Sequence, residues 1–119
     1  MLLGDHNADP IDGAAVGGAM KQILDNDRVN RDLTPWSAGA KTASKNQGGV
    51  NKTQLGDPSQ DTGDFFDKVV GNLRLDYVLP STELKMLDAK VFWPQPWSSL
   101  YPLIEHSDHR LTWIDVQLH

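Results

Sequence analysis

The chain reads as an α+β domain, with helical spacing confined to its first half and strand-like alternation in its second. Three observations carry this. Ala15, Ala19 and Ile23, joined by Met20 and Leu24, recur at the spacing of one helical face. Leu73, Leu75, Tyr77 and Leu79 alternate with Asn72, Arg74, Asp76 and Val78 at the period of a strand with one strongly apolar side. Between the two, residues 47–71 carry Gly, Asp, Asn, Pro and Thr with little period.

Taken in order, Met1 to Leu3 is an apolar stub running into Gly4-Asp5, the pattern of the end of a buried strand. Asp12 before Gly13-Ala14-Ala15 can cap a helix, expected over residues 13–26 and weakened by Gly17-Gly18. Ser37 is the N-cap of a second expected helix, from Ala38 to Lys45, stopping near Gln47-Gly48-Gly49. Residues 47–71 then form a long ordered loop. A strand runs from Asn72 to Leu79 and ends at Pro80-Ser81, and a second spans Leu84 to Trp93. Pro94, Pro96 and Pro102 make the following stretch a loop. The last strand covers Leu111 to Leu118, with Leu111, Trp113, Asp115 and Gln117 on one face and Thr112, Ile114, Val116 and Leu118 on the other. There is no internal repeat.

Length and composition close several functions. At 119 residues, 39% of them hydrophobic, the chain has the make-up of one globular domain and no room for a second. No apolar run approaches the roughly 18 to 20 residues that cross a bilayer, so no membrane is expected. The absence of cysteine excludes disulfides, thiolate metal sites and a cysteine nucleophile, while leaving the compartment open. A net charge of -5 argues against nucleic acid as a partner held by phosphate neutralisation. No signal-peptide pattern precedes the first patterned segment.

Three polar clusters stand at strand ends: Gly4-Asp5-His6-Asn7-Ala8-Asp9-Pro10, Arg74-Leu75-Asp76-Tyr77, and Ser107-Asp108-His109-Arg110. Singly, each has an ordinary structural reading as a turn, a solvated strand residue or a chance pair. In this order, Gly-Asp-x-Asn, then Arg-x-Asp-Tyr, then Ser-Asp-His before the last strand resembles the endonuclease/exonuclease/phosphatase (deoxyribonuclease I-like) family. The resemblance spans the chain. It implies that residues 1–119 are the C-terminal portion of a single such domain, half of a four-layer α/β/β/α sandwich, with the upstream half of the same domain as partner.

The resemblance also implies metal-dependent hydrolysis of phosphoesters, by a phosphatase or phosphodiesterase, with a phosphoester as substrate. Such chemistry needs an activated water and neutralisation of charge growing on the phosphoryl oxygens. By resemblance, Asp5 orients the water or takes its proton, and Asn7 donates to a phosphoryl oxygen. His109 contacts the phosphate as a cationic donor, held by Asp76. Asp108, with Asp5, binds the divalent ion, Mg²⁺ or else Mn²⁺ or Ca²⁺, because hard cations favour carboxylate oxygens. The family's first half supplies a metal-binding Glu, so the set here is incomplete and the chain alone is expected to be nearly inactive. A non-catalytic domain is the rival reading. A nuclease is a third, against which the acidic balance counts.

His6 stands where the family usually has an apolar residue, and is expected to be a partly buried neutral His with one hydrogen bond. Lys41, Lys45 and Lys52 lie in an acid-free stretch and are read as a solvated face, or alternatively a positive rim. Asp57, Asp61, Asp64 and Asp67 do not match the spacing of a twelve-residue calcium loop. Trp36, Trp93, Trp97 and Trp113 are read as core and loop anchors.

Overall fold

In the computed structural model, which describes residues 1–118, the chain is a small α+β domain with three two-stranded antiparallel sheets. Strand β1 (Leu2–Asp5) pairs with β4 (Asp76–Leu79), β2 (Gly63–Asp64) with β3 (Asn72–Leu73), and β5 (Lys85–Val91) with β6 (Thr112–Gln117). Helices α1 (Ala19–Leu24) and α2 (Ala38–Gln47) and three 3₁₀ turns, Gly49–Lys52, Pro58–Gln60 and Tyr101–Ile104, complete it.

The apolar face read along residues 73–79 is the centre of the fold: Leu73, Leu75, Tyr77 and Leu79 are all buried. Tyr77 shares its hydroxyl proton between the carbonyls of Ala8 (2.7 Å) and Arg74 (2.8 Å), so a buried polar group is satisfied while its ring fills the core. Met20, Ile23 and Leu24 of α1 pack with Tyr77, Leu79 and Ala8, the face expected of them. A second core gathers Ala40, Val91, Trp93 and Ile104 under α2 and β5.

Several expectations need correction. The helix over residues 13–26 is only Ala19–Leu24, because Gly13 and Gly18 take positive φ (80° and 83°) and turn the chain before it. Asp12 caps nothing there; its carboxylate accepts the N–H groups of Leu55 (2.9 Å) and Gly56 (2.8 Å) and ties the distant loop down. The strand 72–79 is two strands. Between them the Arg74 N–H goes to Asp9 Oδ2 (2.8 Å) and the Leu75 N–H to Thr62 Oγ1 (3.0 Å), so side chains replace the ladder at that point. The stub Met1–Leu3 does not end a buried strand: β1 is exposed along its length, pairing on one side only.

Helix α2 follows the expectation at both ends. Ser37 Oγ accepts the Gly39 N–H (3.0 Å), and Gly48, at φ 67°, closes the helix. The stretch expected to be one long loop holds two 3₁₀ turns and β2 instead, and buried amides tie it together. Asn72, 1% exposed, receives Asn51 Oδ1 at its N–H (2.7 Å) and donates its side-chain amide to Gln47 Oε1 (2.7 Å). β5 carries a register shift between Met86 and Asp88, and β6 alternates as expected, with Thr112, Ile114 and Val116 turned inward.

Candidate functional site

The β1–β4 register places Asp5 directly opposite Asp76. Two carboxylates facing each other across an antiparallel pair repel, so the position calls for positive charge beside it. His109 supplies it. Its Nδ1 lies 2.9 Å from Asp76 Oδ2 and 3.2 Å from Oδ1, and its Nε2 lies 4.0 Å from Asp5 Oδ2. One ligand atom from each of Asp5, Asp76 and His109 falls within 4.8 Å of the other two, the one such group among the described residues and a spacing suited to chelating a metal ion.

Three hydrogen-bonded strips bring His109 there. Thr62–Asp64 is flanked on one side by β3 and on the other by residues 108–110, through Asp64 N–H to Asp108 O (2.8 Å) and Arg110 N–H to Thr62 O (2.8 Å). Arg110 anchors the strip from beneath. Its guanidinium is buried, pairs with Asp64 (2.8 Å), stacks 4.4 Å over the Trp93 ring and donates to the Ser107 carbonyl. The edge of Phe65 meets the imidazole, with ring centroids 5.8 Å apart at 82°.

Thr62 is the residue that sequence reasoning missed. It is 1% exposed; its hydroxyl donates to Asp76 Oδ2 (2.8 Å) and accepts the N–H groups of Leu75 (3.0 Å) and Asp76 (2.9 Å). The same carboxylate oxygen therefore receives both Thr62 and His109. Nothing in the spacing of Asp61-Thr62-Gly63 signals this, because the partners are 13 and 14 residues away through a turn that no periodicity describes.

The electrostatics follow from these contacts. The His109 pKa is raised above its ordinary value, chiefly by the Asp76 hydrogen bond; desolvation opposes this, and the charges of Asp76, Asp5 and Asp108 add to the rise. The Asp76 contact occupies Nδ1 and leaves Nε2 without a hydrogen bond, so the protonated ring has one N–H to offer a ligand.

The other expected residues lie nearby but apart. Asn7, at φ 48°, gives its backbone N–H to Asp5 Oδ1 (2.7 Å), fixing the Asp5 carboxylate; the residue also lines a separate cleft with Phe65, Leu73 and Leu75. Asp108 is exposed and is not a member of the Asp5–Asp76–His109 group. It lines a cleft of about 760 Å³ with Asp64, Tyr101, Glu105 and His106. His6 packs edge-on against Tyr77, and its Nε2 is buried without a partner, so the single expected hydrogen bond is not made at that atom.

The four acids of the long loop serve four purposes. Asp57 caps a 3₁₀ turn through Ser59, Asp64 holds Arg110, Asp67 accepts from Asn51 (3.3 Å) and Asp61 is buried. Lys41, Lys45 and Lys52 are exposed. Trp93 is a core residue; Trp36, Trp97 and Trp113 are exposed, and the Trp36 ring holds the Lys90 ammonium 4.3 Å from its centroid. No described helix is long and apolar enough to cross a membrane. Comparison with known protein families, with curated proteins and with solved structures finds no match for this chain.

Proposed function

We propose that Asp5, Asp76 and His109, with Asn7 and Asp108 beside them, are the chain's share of a divalent-metal-dependent phosphoester hydrolase site. The fold belonging to this reading is one half of a deoxyribonuclease I-like α/β/β/α sandwich. The observation that carries it is the cross-strand Asp5–Asp76 pair closed by His109. Two facing carboxylates and a cation-favouring imidazole form a compact site for an ion or a phosphoryl group.

The residues present fit a hard divalent ion. Asp5 and Asp76 offer carboxylate oxygens, and Asp108 stands one residue from the imidazole. When bound, Mg²⁺ or Mn²⁺ neutralises phosphoryl charge and lowers the pKa of water. The chain's own groups do the rest. Asp5, steadied by the Asn7 N–H, orients the attacking water and takes its proton. Asp76 holds His109 through Nδ1 and favours its charged form, whose Nε2–H donates to a phosphoryl oxygen. Thr62 fixes Asp76 by donating to the oxygen that His109 also uses. Asn7, two residues from Asp5, offers its side-chain amide as a second donor.

The test is turnover of an aryl phosphate and a bis-aryl phosphate with Mg²⁺ or Mn²⁺, using the chain alone and together with the upstream half that the family resemblance implies. Metal-dependent turnover that falls about a hundredfold or more in Asp5→Ala and in His109→Ala is the expected result. Turnover indifferent to both substitutions, or none in either preparation, sinks the reading and favours a non-catalytic domain.

A further inference from the structure

Asp61 is 7% exposed, and its Oδ2 is buried with no hydrogen-bond partner. An ionised carboxylate in that state is among the least favourable groups a fold can hold, and the neutral acid is the cheaper form. Its surroundings press the same way. Asp9, Asp12 and Asp57 are the charges that act on it, and all three are negative. Each of those three accepts backbone N–H groups that suit an ionised carboxylate. Asp9 accepts the N–H groups of Ile11, Asp12 and Arg74, Asp12 those of Leu55 and Gly56, and Asp57 that of Ser59. The nearby bases are engaged elsewhere: Arg74 lies over the Tyr77 ring, 4.7 Å from its centroid, and acts on Asp9, while Lys41 acts on Asp57. Asp61 is thus the member of the group that gives way and keeps a proton.

Its place in the chain gives that proton a consequence. Asp61 ends the Pro58–Gln60 turn and is followed at once by Thr62, whose hydroxyl holds Asp76 and whose carbonyl holds Arg110. We propose that Asp61 is a proton-dependent latch on the Asp5–Asp76–His109 cluster: neutral, it lets the turn close beneath Thr62, and ionised, it draws the turn outward and loosens the hold of Thr62 on Asp76. The latch acts on the geometry of the cluster and stands whatever reaction the cluster performs. Burial, and then the three acids, push the Asp61 carboxyl up to about 8, so the latch opens in mildly alkaline solution.

The linkage has a definite sign. Between the ordinary carboxylate value and about 8, the folded chain binds one proton at Asp61 that the unfolded chain does not. The folding equilibrium constant therefore falls by about tenfold per pH unit over that window from this residue and levels off above it. Asp61→Asn removes that component, so the difference between the wild-type and variant denaturation curves, followed in urea from pH 5 to 9, isolates it. In parallel, the backbone amide resonances of Thr62 and Asp76 in the wild-type chain should titrate together near pH 8 and stop doing so in Asp61→Asn. The carboxyl ¹³C resonance of Asp61 in the wild-type chain reports its protonation directly and needs no variant to fold. A neutral Asp61 at pH 6 with co-titrating Thr62 and Asp76 amides supports the latch. An ionised Asp61 at pH 6, or Thr62 and Asp76 amides that titrate unchanged in Asp61→Asn, overturns it. So does Ca²⁺ at millimolar concentration restoring wild-type stability at pH 8.5, which makes the group a cation site instead.

Discussion

Replacing Thr62 by Val keeps the outline of a fully buried side chain and deletes one oxygen. That oxygen accepts two backbone N–H groups, of Leu75 and Asp76, and donates to Asp76 Oδ2. A buried N–H left without a partner costs about 1–3 kcal/mol, and a hydrogen bond to a carboxylate is worth about 1.5–3 kcal/mol. The three losses are coupled, because one small shift of the Arg74–Asp76 segment relieves more than one of them, so a net loss of about 3 kcal/mol is expected. In a domain of this size that lowers Tm by roughly 10 °C. Thr62→Ser keeps the oxygen and removes a methyl group, for about 1 kcal/mol. A second readout separates this role from ordinary packing. Without the Thr62 donor, Asp76 Oδ2 interacts more strongly with His109, and the His109 pKa moves further up in Thr62→Val but not in Thr62→Ser. Urea denaturation and an NMR titration of the His109 ring measure both effects. Equal losses for Val and Ser, with an unmoved His109 in each, would refute the assignment of Thr62 as the residue that positions Asp76.

Asp76→Asn should lower the His109 pKa, since the Asp76 hydrogen bond is the largest cause of its elevation. A raised histidine contributes stability that is present below the ordinary value of about 6.5 and lost as pH rises through the folded value. The variant should therefore lose more stability at pH 6 than at pH 9, and equal losses at the two would contradict the pairing. Mn²⁺ should broaden the resonances of Asp5, Asp76 and His109 ahead of the other acidic residues, more weakly at pH 5.5 than at 7.5 because a cationic imidazole beside the two carboxylates repels the ion. Asp5→Asn should weaken that binding by about tenfold or more, and uniform broadening over all exposed carboxylates would rule the cluster out. At Gly39 of α2 an added Cβ would sit 1.8 Å from the Trp93 carbonyl oxygen, which also accepts from Ser37 Oγ (2.9 Å). Gly39→Ala should cost at least about 3 kcal/mol, read as a fall in Tm, and a near-neutral effect would mean that α2 does not pack so closely on the Trp93 segment.

The one-dimensional sequence was sufficient wherever a property is set by neighbours along the chain. The apolar face of residues 73–79 is legible because side chains alternate across a strand, and all four of its members are buried. The α2 cap is legible because a Ser hydroxyl reaches the N–H two residues on. The Asp76–His109 contact was legible only through the order of three motifs, not from any spacing between them, and it forms at 2.9 Å. What the tertiary structure alone decided depends on partners distant in the chain. Asp12 looks like a helix cap and clasps a loop more than forty residues away. Asn72–Leu79 looks like one strand and is cut in two, because Thr62 and Asp9 take its N–H groups. Met1–Leu3 looks like the end of a buried strand, yet whether an apolar strand is covered depends on what packs on it, which its own residues do not encode. Asp108 and His109 are adjacent in sequence, but the strip held by Thr62 and Arg110 turns the imidazole toward Asp76 and leaves the Asp108 carboxylate on a different cleft. Asp61 reads as one of four loop acids and becomes a buried one, because burial is a property of the packed fold and no pattern of four aspartates along a chain specifies which of them loses its water.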